Sequence, residues 1–501
     1  TLSHKLTDIR LNPVYVRRQR KLEKFLKDLP VIGPQAERGL EAFKAGVREF
    51  LQPPAFFEAL GVRYIGPIDG HNVEALEHAL SAAQQRVEEG PIVIHVITQK
   101  GRGYSPAEDD DEKHLHDAPV FNPVTGPPKS GPTGYTEAFA NGIIALAEKD
   151  PRVVAITAAM PGPTGLIHFQ EKFPERFFDV GIAEQHAVTA AAGMAMGGMR
   201  PVVALYSTFL NRAWDQVVYD VALHRLPVIF CLDRAGITGD DGPSHHGIYD
   251  MALLSKVPGM RVLAPSSTQE LQQMLSDALS LSDTGPVVIR YPKGIARSVD
   301  ATDIGSGIAA RKLRTGSSKK VCILAVGKMV GAALSAAELL QQKNIDATVW
   351  DVRSCSPLDE NMIADAASHD VVVTAEDGIR DGGIGMSVAA DVCEIDGSVP
   401  VTPLGLPTKF MPHDPKSSNI HARYGLDVDG LVAAGSIPTT VDVRLAGVTQ
   451  QQSEAFGGLF FSMGIAVLVV YLAMVLTFNS LITPFIILFS LPLATIGALP
   501  A

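Results

Sequence analysis

Short apolar runs of strand length alternate with amphipathic helical stretches through most of this chain. The apolar runs are PIVIHVITQ, VVAITA, RPVVALYS, LPVIFCLD, GPVVIRYP, KVCILAVG, DATVWDV and DVVVTAED. Helical spacing separates several of them, as in VEALEHALSAAQQRVEEG, AWDQVVYDVALH, TQELQQMLSDALSLS and GAALSAAELLQQK. Strands that are apolar on both faces and alternate with helices are typical of parallel sheets covered on both sides. The pattern therefore predicts an α/β fold of successive doubly wound parallel-sheet domains.

Three changes in composition divide the chain. Residues 105–134 are rich in Asp, Pro and Gly, which is typical of a long connection between domains. A second polar stretch, 300–320, precedes a new strand, and the α/β pattern ends near Gly435. These changes predict four segments, with the bounds 1–125, 126–305, 315–434 and 435–501.

The last 47 residues or so, 455–501, contain no charged side chain. This run is much longer than the ~20 apolar residues needed to cross a bilayer. Polar residues around Asn479 and Pro484 divide it into two predicted membrane helices, about 457–478 and 482–499. A buried pair of core helices is the alternative, but nothing polar faces outward at helical spacing.

Composition limits the other possibilities. The chain has 501 residues, of which 46% are hydrophobic and 19% charged, as in a globular protein of about two to four domains. Its net charge is −11 and its one basic block, residues 17–24, is short, so nucleic acid is not an expected partner. The four cysteines have no CxxC or ligand spacing, which favours reduced thiols in a cytoplasmic protein over disulfides or a zinc site.

Ligands of open parallel sheets bind at the carboxyl ends of the strands, so candidate chemistry is expected just after the apolar runs. Lys100 and Tyr104 follow the first run in the turn KGRGY, although a glycine-rich turn can be purely structural. His114 and His116 follow in the acidic connection. A loop histidine is more often simply solvated.

The segment FFDVGIAEQHAVTAAAGMAMGG places Glu184 at the start of a helix of small residues. Such a helix packs closely against its neighbours, so we expect this carboxylate to be buried. Burying a carboxylate is costly, and the cost is commonly accepted for function. The alternative is an ordinary acidic residue stabilised by the helix dipole.

Two further groups follow the next strands. Tyr206, Phe209 and Arg212 come after RPVVALYS, where an aromatic side chain and an arginine suit an aromatic ring and a phosphate. After LPVIFCLD, Arg234 is followed by a glycine-rich loop. The loop carries an acid and an imidazole, Asp241 and His245, a pair that suits proton transfer near neutral pH.

Arg290 ends the run GPVVIR, so it too lies at the end of a predicted strand. In this order, KGRGY, DVGIAEQHAV, YSTFLNRAWDQ, DRAGITGDDGPSHHG and RYPKG resemble the 1-deoxy-D-xylulose-5-phosphate synthases, relatives of transketolase. The segments SHKLTDIRLNPVYVRR and LQPPAFFEALGVRYIGPIDGH also fit that family, so the resemblance runs from residue 1 to about 434.

The resemblance implies a homodimeric transferase that condenses pyruvate with D-glyceraldehyde 3-phosphate, with loss of CO₂, to 1-deoxy-D-xylulose 5-phosphate. It implies thiamine diphosphate and Mg²⁺ as cofactors. The segments would be the remainder of a diphosphate-binding domain, a pyrimidine-binding domain and a C-terminal domain that helps dimerisation. In the third of these, DGIRDGGIG (377–385) predicts a glycine-rich βα turn, which is either a nucleotide site or tight helix–sheet packing.

The resemblance also assigns roles to residues. Glu184 would bond the aminopyrimidine of thiamine diphosphate, and Phe209 would stack on it. The other cofactor contacts would come from Lys100, Tyr104 and Arg212. Proton transfers would involve His116, Asp241 and His245, and the phosphate and hydroxyls of the substrate would be bound by Tyr206, Arg234 and Arg290. No residue of the chain is implied as a metal ligand.

Two features depart from the family. The GDG…N motif that binds Mg²⁺ and the diphosphate is missing, so we expect an N-terminally truncated chain that is inactive alone, with residues 1–125 folding poorly. The tail resembles a helix pair of resistance–nodulation–division efflux permeases, without their intramembrane acidic residues. We therefore expect a fusion of two gene fragments, with membrane association through residues 455–501.

Two alternatives remain open. Besides the synthase, the chain could be a pyrimidine-half subunit of another thiamine enzyme, such as transketolase or a pyruvate dehydrogenase β-type subunit. It could also be a non-catalytic protein tethered to a membrane by its tail.

Overall fold

A computed structural model of the chain separates into two compact units, Thr1–Lys129 and Ser130–Ala501. The residues that the structure describes are 57, 60–110, 114–116, 121–127, 134–294, 296–436, 470, 471, 473–477, 480–482 and 484.

The first unit contains a parallel βαβ arrangement. Its elements are β1 (Arg63–Asp69), α1 (Val73–Gln84), β2 (Ile92–Ile97) and the short α2 (Ser105–Glu108). Asn72 starts α1 because its side chain accepts the Ala75 amide. β1 and β2 pair in parallel. Much of residues 1–125 lies outside the described residues, so the expectation of poor folding there stays a prediction.

The second unit begins with a seven-stranded sheet. Its elements are α3 (Tyr135–Lys149), β3 (Val153–Thr157), α4 (Ile167–Lys172), β4 (Phe177–Asp179), α5 (Glu184–Met196), β5 (Arg200–Tyr206), α6 (Ser207–Leu210), β6 (Ile229–Asp233), α7 (Asp250–Leu254), β7 (Arg261–Leu263), α8 (Thr268–Leu281) and β8 (Val287–Arg290). The strand order is β12-β7-β8-β6-β5-β3-β4, where β12 (Ser354–Ser356) comes from later in the chain. All pairs are parallel except β12 with β7.

A five-stranded sheet follows in the order β14-β13-β10-β11-β9. Its elements are β9 (Arg311–Arg314), β10 (Val321–Ala325), α9 (Met329–Gln342), β11 (Thr348–Asp351), α10 (Glu360–Ala366), β13 (Val371–Ile379), α11 (Ile384–Ile395), β14 (Val401–Leu406), α12 (Ser417–Arg423) and α13 (Val428–Gly435). β9 is antiparallel to β11 and the other pairs are parallel. The predicted parallel α/β architecture is confirmed.

The structure differs from the predicted elements in two places. The stretch AWDQVVYDVALH (213–224), predicted as an amphipathic helix, is helical, but it is a π-helix over Gln216–Ala222 and follows a 3₁₀ turn at Asn211–Ala213. The polar stretch 300–320, predicted as a connection, contains β9, because its Arg311–Arg314 backbone completes the edge of the second sheet.

Arg353 ties the two sheets of the second unit together. It is fully buried, and its Nε donates to Glu270 Oε2 of α8 at 2.8 Å. Its Nη1 donates to the carbonyl of Ala309 at 2.5 Å, in the connection between the sheets. A buried arginine needs such partners, so this ion pair fixes the course of the connecting chain.

The glycine-rich turn at 377–385 is a packing feature. Glu376 accepts hydrogen bonds from the amides of Ile384 and Gly385, both at 2.9 Å, at the start of α11. A side chain at Gly385 would overlap Thr374 Oγ1. Because a carboxylate of the chain already occupies the helix N-terminus that a phosphate would need, tight helix–sheet packing describes this turn and a nucleotide site does not.

Among the described residues, no helix combines the length and the apolar character needed to cross a bilayer. Most residues of the two predicted membrane helices, 457–478 and 482–499, lie outside those described.

Burial makes the stability of the second unit depend on pH. It raises the pKa of Glu376 to about 7, against the lowering effect of the two amide hydrogen bonds. The folded protein therefore binds this proton more tightly than the unfolded chain. The contribution of Glu376 to the free energy of unfolding is fully present below its unfolded pKa, and it is lost as the pH rises through about 7.

We expect Glu376→Gln to remove this contribution. Urea curves at about pH 5 and about pH 8 give the decrease in the free energy of unfolding between these pH values. This decrease should be smaller in the variant than in the parent chain, by about 1–3 kcal/mol. Equal slopes for the two proteins would contradict the assignment.

Candidate active site

Glu184 is the first residue of α5 and is 2% exposed. Its Oε2 lies 3.3 Å from Arg212 Nη1 but accepts no hydrogen bond from the described residues. The arginine side chain is 52% exposed, so only one side of this ion pair is out of solvent. The predicted burial of the carboxylate is confirmed, and one of its oxygens is available to a ligand.

Two aromatic residues form a shelf at the end of β5. The Tyr206 and Phe209 rings are stacked, with centroids 5.5 Å apart and an angle of 10°. His245 meets Phe209 edge-on, at 5.3 Å and 73°. Tyr206 is 8% exposed, whereas Phe209 is half-buried and presents the more accessible face. We call Tyr206 and Phe209 the aromatic shelf.

Arg234 follows β6 and lies against the same shelf, with its Cζ 4.5 Å from the centre of the Tyr206 ring. Its backbone is left-handed (φ +57°), a costly conformation for a non-glycine residue that is common at functional sites. Nη1 donates to Pro163 O at 2.6 Å and to Asp233 Oδ2 at 2.8 Å. Nε is buried and has no acceptor among the described residues, so the guanidinium keeps an unused donor.

Asp233, the last residue of β6, is fully buried and pairs with Arg234; no role was predicted for it from the sequence. Burial raises the pKa of Asp233, and the nearby Arg234 opposes that rise. Thr136 Oγ1 also donates to Asp233 Oδ2, at 2.9 Å. The sequence feature that could have indicated this contact is the Asp233–Arg234 dipeptide at the end of a strand. In the structure the two side chains are hydrogen-bonded to each other.

Asp241 and His245 lie in a loop, residues 236–247, whose two ends are joined. Gly236 N donates to Gly247 O at 2.7 Å, and Gly247 N donates to Gly236 O at 2.9 Å. The loop therefore starts and ends at one point of the sheet edge. The loop brings His245 against Phe209. Asp241 lies earlier in the loop than His245.

Lys293, which was not singled out from the sequence, pairs with two acidic residues of this loop. Its Nζ lies 3.0 Å from Asp240 Oδ1 and 3.1 Å from Asp241 Oδ2. Its side chain is 35% exposed, so it is a cation within reach of solvent beside the loop. The motif RYPKG contains both Arg290 and Lys293, and the sequence alone does not say which of the two faces the site.

Arg290 takes a different place from the expected one. It is 4% exposed, and its Nε donates to Asp250 Oδ2 at 2.9 Å. Its Nη2 donates to Asp250 Oδ1 at 3.3 Å and to the Asp377 carbonyl at 3.0 Å. The guanidinium is thus enclosed and engaged by an internal carboxylate, whereas Lys293 is the accessible cation after the same strand. The phosphate-binding role of Arg290 stays a prediction, which these contacts do not favour.

The remaining predicted site residues belong to the first unit. Lys100 and His116 are exposed. Tyr104 donates its hydroxyl to Pro123 O at 2.7 Å, and its ring stacks with that of Phe121 at 6.3 Å. The roles of Lys100, Tyr104 and His116 stay predictions.

One group of side chains in the described part of the chain has metal-ligand chemistry. Cys322, Asp365 and His369 offer ligand atoms within 4.8 Å of one another. Asp365, however, accepts from Trp350 Nε1 at 2.9 Å and pairs with Lys312 Nζ at 2.9 Å. Both ring nitrogens of His369 have partners as well. The group is satisfied as a hydrogen-bonded network that already includes a cation.

Protein-family models match most of the chain. The model described as 1-deoxy-D-xylulose-5-phosphate synthase matches residues 1–98. The transketolase pyrimidine-binding domain matches 132–298, and the transketolase C-terminal domain matches 310–431. The AcrB/AcrD/AcrF family matches residues 427–501, the region of the tail.

Curated relatives decide the family. The 1-deoxy-D-xylulose-5-phosphate synthase of Corynebacterium glutamicum is 43% identical over 434 residues, which cover 85% of this chain and 68% of that protein. The chain belongs to the 1-deoxy-D-xylulose-5-phosphate synthase family. The synthase of Mycobacteroides abscessus is 45% identical over 415 residues, covering 82% of this chain and 64% of that synthase. The chain thus spans about two thirds of the length of these synthases.

One solved structure of the wider transketolase group is also similar. It is described as a split gene transketolase, an inactive beta4 tetramer, and is 30% identical with a TM-score of 0.55. The match covers 60% of this chain and 97% of that one. The shared part therefore amounts to nearly the whole of that shorter chain.

Substitutions distinguish the two cations of the RYPKG motif. Arg290→Met should lower the free energy of unfolding by about 3–5 kcal/mol, because it leaves Asp250 buried without a counter-charge. Lys293→Met should change it by about 1 kcal/mol or less, because its ion pairs are partly exposed. Urea denaturation of both variants measures this. Equal losses would show that Arg290 is not the internal ion pair described above.

Proposed function

We propose that the chain provides the pyrimidine-binding side of a thiamine-diphosphate site that condenses pyruvate with D-glyceraldehyde 3-phosphate, with loss of CO₂, to 1-deoxy-D-xylulose 5-phosphate. The observation that carries the proposal is the buried Glu184 carboxylate with an oxygen that accepts no hydrogen bond. Membership of the synthase family supports it.

The residues present fit the cofactor. A buried carboxylate oxygen without a donor suits a ring nitrogen that shares a proton with it, because a hydrogen bond to a charged group is strong away from water. Phe209 offers the accessible face of the aromatic shelf for the pyrimidine ring. Arg212 lies three residues after Phe209, and its Nη1 is 3.3 Å from Glu184 Oε2. Thiamine diphosphate, when bound, supplies the electron sink for carbon–carbon bond chemistry.

Other residues suit the substrates. Arg234 retains a buried donor at Nε, and Lys293 is the exposed cation beside the loop, so both fit a phosphate. His245 contacts Phe209 and Asp241 pairs with Lys293, and these contacts support a role for both residues in proton transfer. Tyr206 orients Arg234 through its ring face. The oxygen ligands that Mg²⁺ prefers do not cluster in the described parts of the chain, so we assign the metal no residue here.

A second candidate is a subunit that supplies this half-site to a partner chain carrying the diphosphate half. The similar split gene transketolase is described as inactive in its beta4 tetramer, and the shared part covers 97% of it. In such a complex the partner chain would supply the main contacts to the diphosphate, and Lys100, Tyr104 and His116 of this chain would only add to them. A homodimer is the corresponding proposal for the synthase reading.

The test is Glu184→Gln with cofactor binding as the readout. Isothermal titration calorimetry with thiamine diphosphate and Mg²⁺ should show binding weakened by about 10- to 100-fold, the worth of a hydrogen bond to a charged group. Glu175→Gln, at an exposed position just before β4, is the matched control and should bind like the parent chain.

The titration is run on the chain alone and on the chain mixed with a diphosphate-binding half from a synthase of the family. Binding in both supports the synthase reading, and binding only in the mixture supports the half-site subunit. Equal affinities for the parent chain and Glu184→Gln, or no binding in either format, would contradict the proposal.

A further inference from the structure

The 236–247 loop, which carries Asp241 and His245, is bonded to the C-terminal sheet through one carboxylate. Asp377 lies in β13 and is 1% exposed. The Ile237 amide, one residue inside the loop, donates to both Oδ1 and Oδ2 of Asp377 at 3.2 Å. The loop and the carboxylate are 140 residues apart in sequence.

Asp377 is itself fixed by a lysine and a histidine of the C-terminal domain. Lys328 Nζ lies 2.5 Å from Oδ2, and His421 Nε2 lies 2.9 Å from Oδ1. These contacts keep the pKa of Asp377 well below its ordinary value, although burial alone would raise it. The carboxylate is therefore charged, and its place is set by α12 and by the residue before α9.

The backbone on both sides of the loop matches this carboxylate closely. Gly236 has φ +78°, and a side chain there would overlap the Asp377 carboxylate. On the far side of the loop, Ile379 N donates to Ile248 O at 2.9 Å. The two ends of the loop thus meet β13 within three residues, and the short approach at Gly236 is possible only for glycine.

We propose that Asp377 is a positioning residue of the C-terminal domain, which sets the 236–247 loop so that His245 stands against the aromatic shelf. Describing the loop as part of an active site rests on the proposed function; the anchoring itself does not. A displacement of about 1 Å in a catalytic group lowers rates strongly, so a loop of polar and glycine residues needs such an anchor.

The bland alternative is that Asp377 only stabilises its own domain through the ion pairs. The two roles can be separated because different atoms carry them. Asp377→Ala removes the acceptor of the Ile237 amide and also leaves Lys328, whose side chain is 23% exposed, without its carboxylate partner. Adding Lys328→Met removes that unpaired charge, while the Ile237 amide still has no acceptor.

The experiment compares Asp377→Ala/Lys328→Met with the parent chain. Amide hydrogen exchange, read by mass spectrometry on peptides covering 235–247, should be faster by at least about tenfold in the double variant. Its urea unfolding midpoint should stay closer to that of the parent chain than the midpoint of Asp377→Ala. Glu376→Gln, at the neighbouring buried carboxylate that does not touch the loop, is the control and should leave exchange in 235–247 unchanged.

A second readout reports the position of His245 directly. The chain has 14 histidines, and His245→Gln identifies the signal of His245 in a spectrum of ¹³C-histidine-labelled protein. The edge-on ring of Phe209 at 5.3 Å gives this signal a ring-current shift. We expect the shift to be reduced in the double variant and retained in Glu376→Gln.

If the double variant recovers both loop protection and the His245 shift together with its stability, Asp377 is only structural and the proposal fails. Neither readout needs cofactor or substrate, so this result is independent of the calorimetric test of Glu184.

Discussion

A carboxylate that is buried without a full set of hydrogen bonds is costly, and Glu184 is such a group. Arg212, whose side chain is 52% exposed, lies 3.3 Å from Glu184 Oε2, and this oxygen accepts no hydrogen bond from the described residues. The chain accepts this cost at the start of α5, where a helix of small residues packs tightly enough to exclude water. The arrangement makes physical sense if a ligand with a protonated or amino-substituted ring completes the hydrogen bonding.

The rest of the site follows from parallel strands that end at one edge of a sheet. The aromatic shelf lies at the end of β5, and Arg234 lies at the end of the neighbouring β6. The loop after β6 places His245 against the shelf. The C-terminal sheet takes part as well, because β12 joins the edge of the first sheet and Asp377 bonds the loop. The domain that carries none of the proposed reacting groups therefore contributes to their placement.

Much of this could be predicted from the sequence, because strand-end position is a property of the pattern. The strands, the burial of Glu184 and the grouping of Tyr206 with Phe209 all follow from apolar runs and what comes after them. The different environments of Arg290 and Lys293 could not be predicted. The two residues are three positions apart at the end of one strand, and the sequence does not show which of the two side chains faces inward. Asp250 and Asp377, which engage Arg290, are distant in sequence, and local spacing carries no information about such contacts.

The most direct measurement of the account is a structure of the chain with thiamine diphosphate bound. We predict Glu184 Oε2 at hydrogen-bond distance, about 2.6–3.0 Å, from a pyrimidine ring nitrogen that lies over Phe209. A cofactor bound elsewhere, with Glu184 still facing only Arg212, would contradict the central claim.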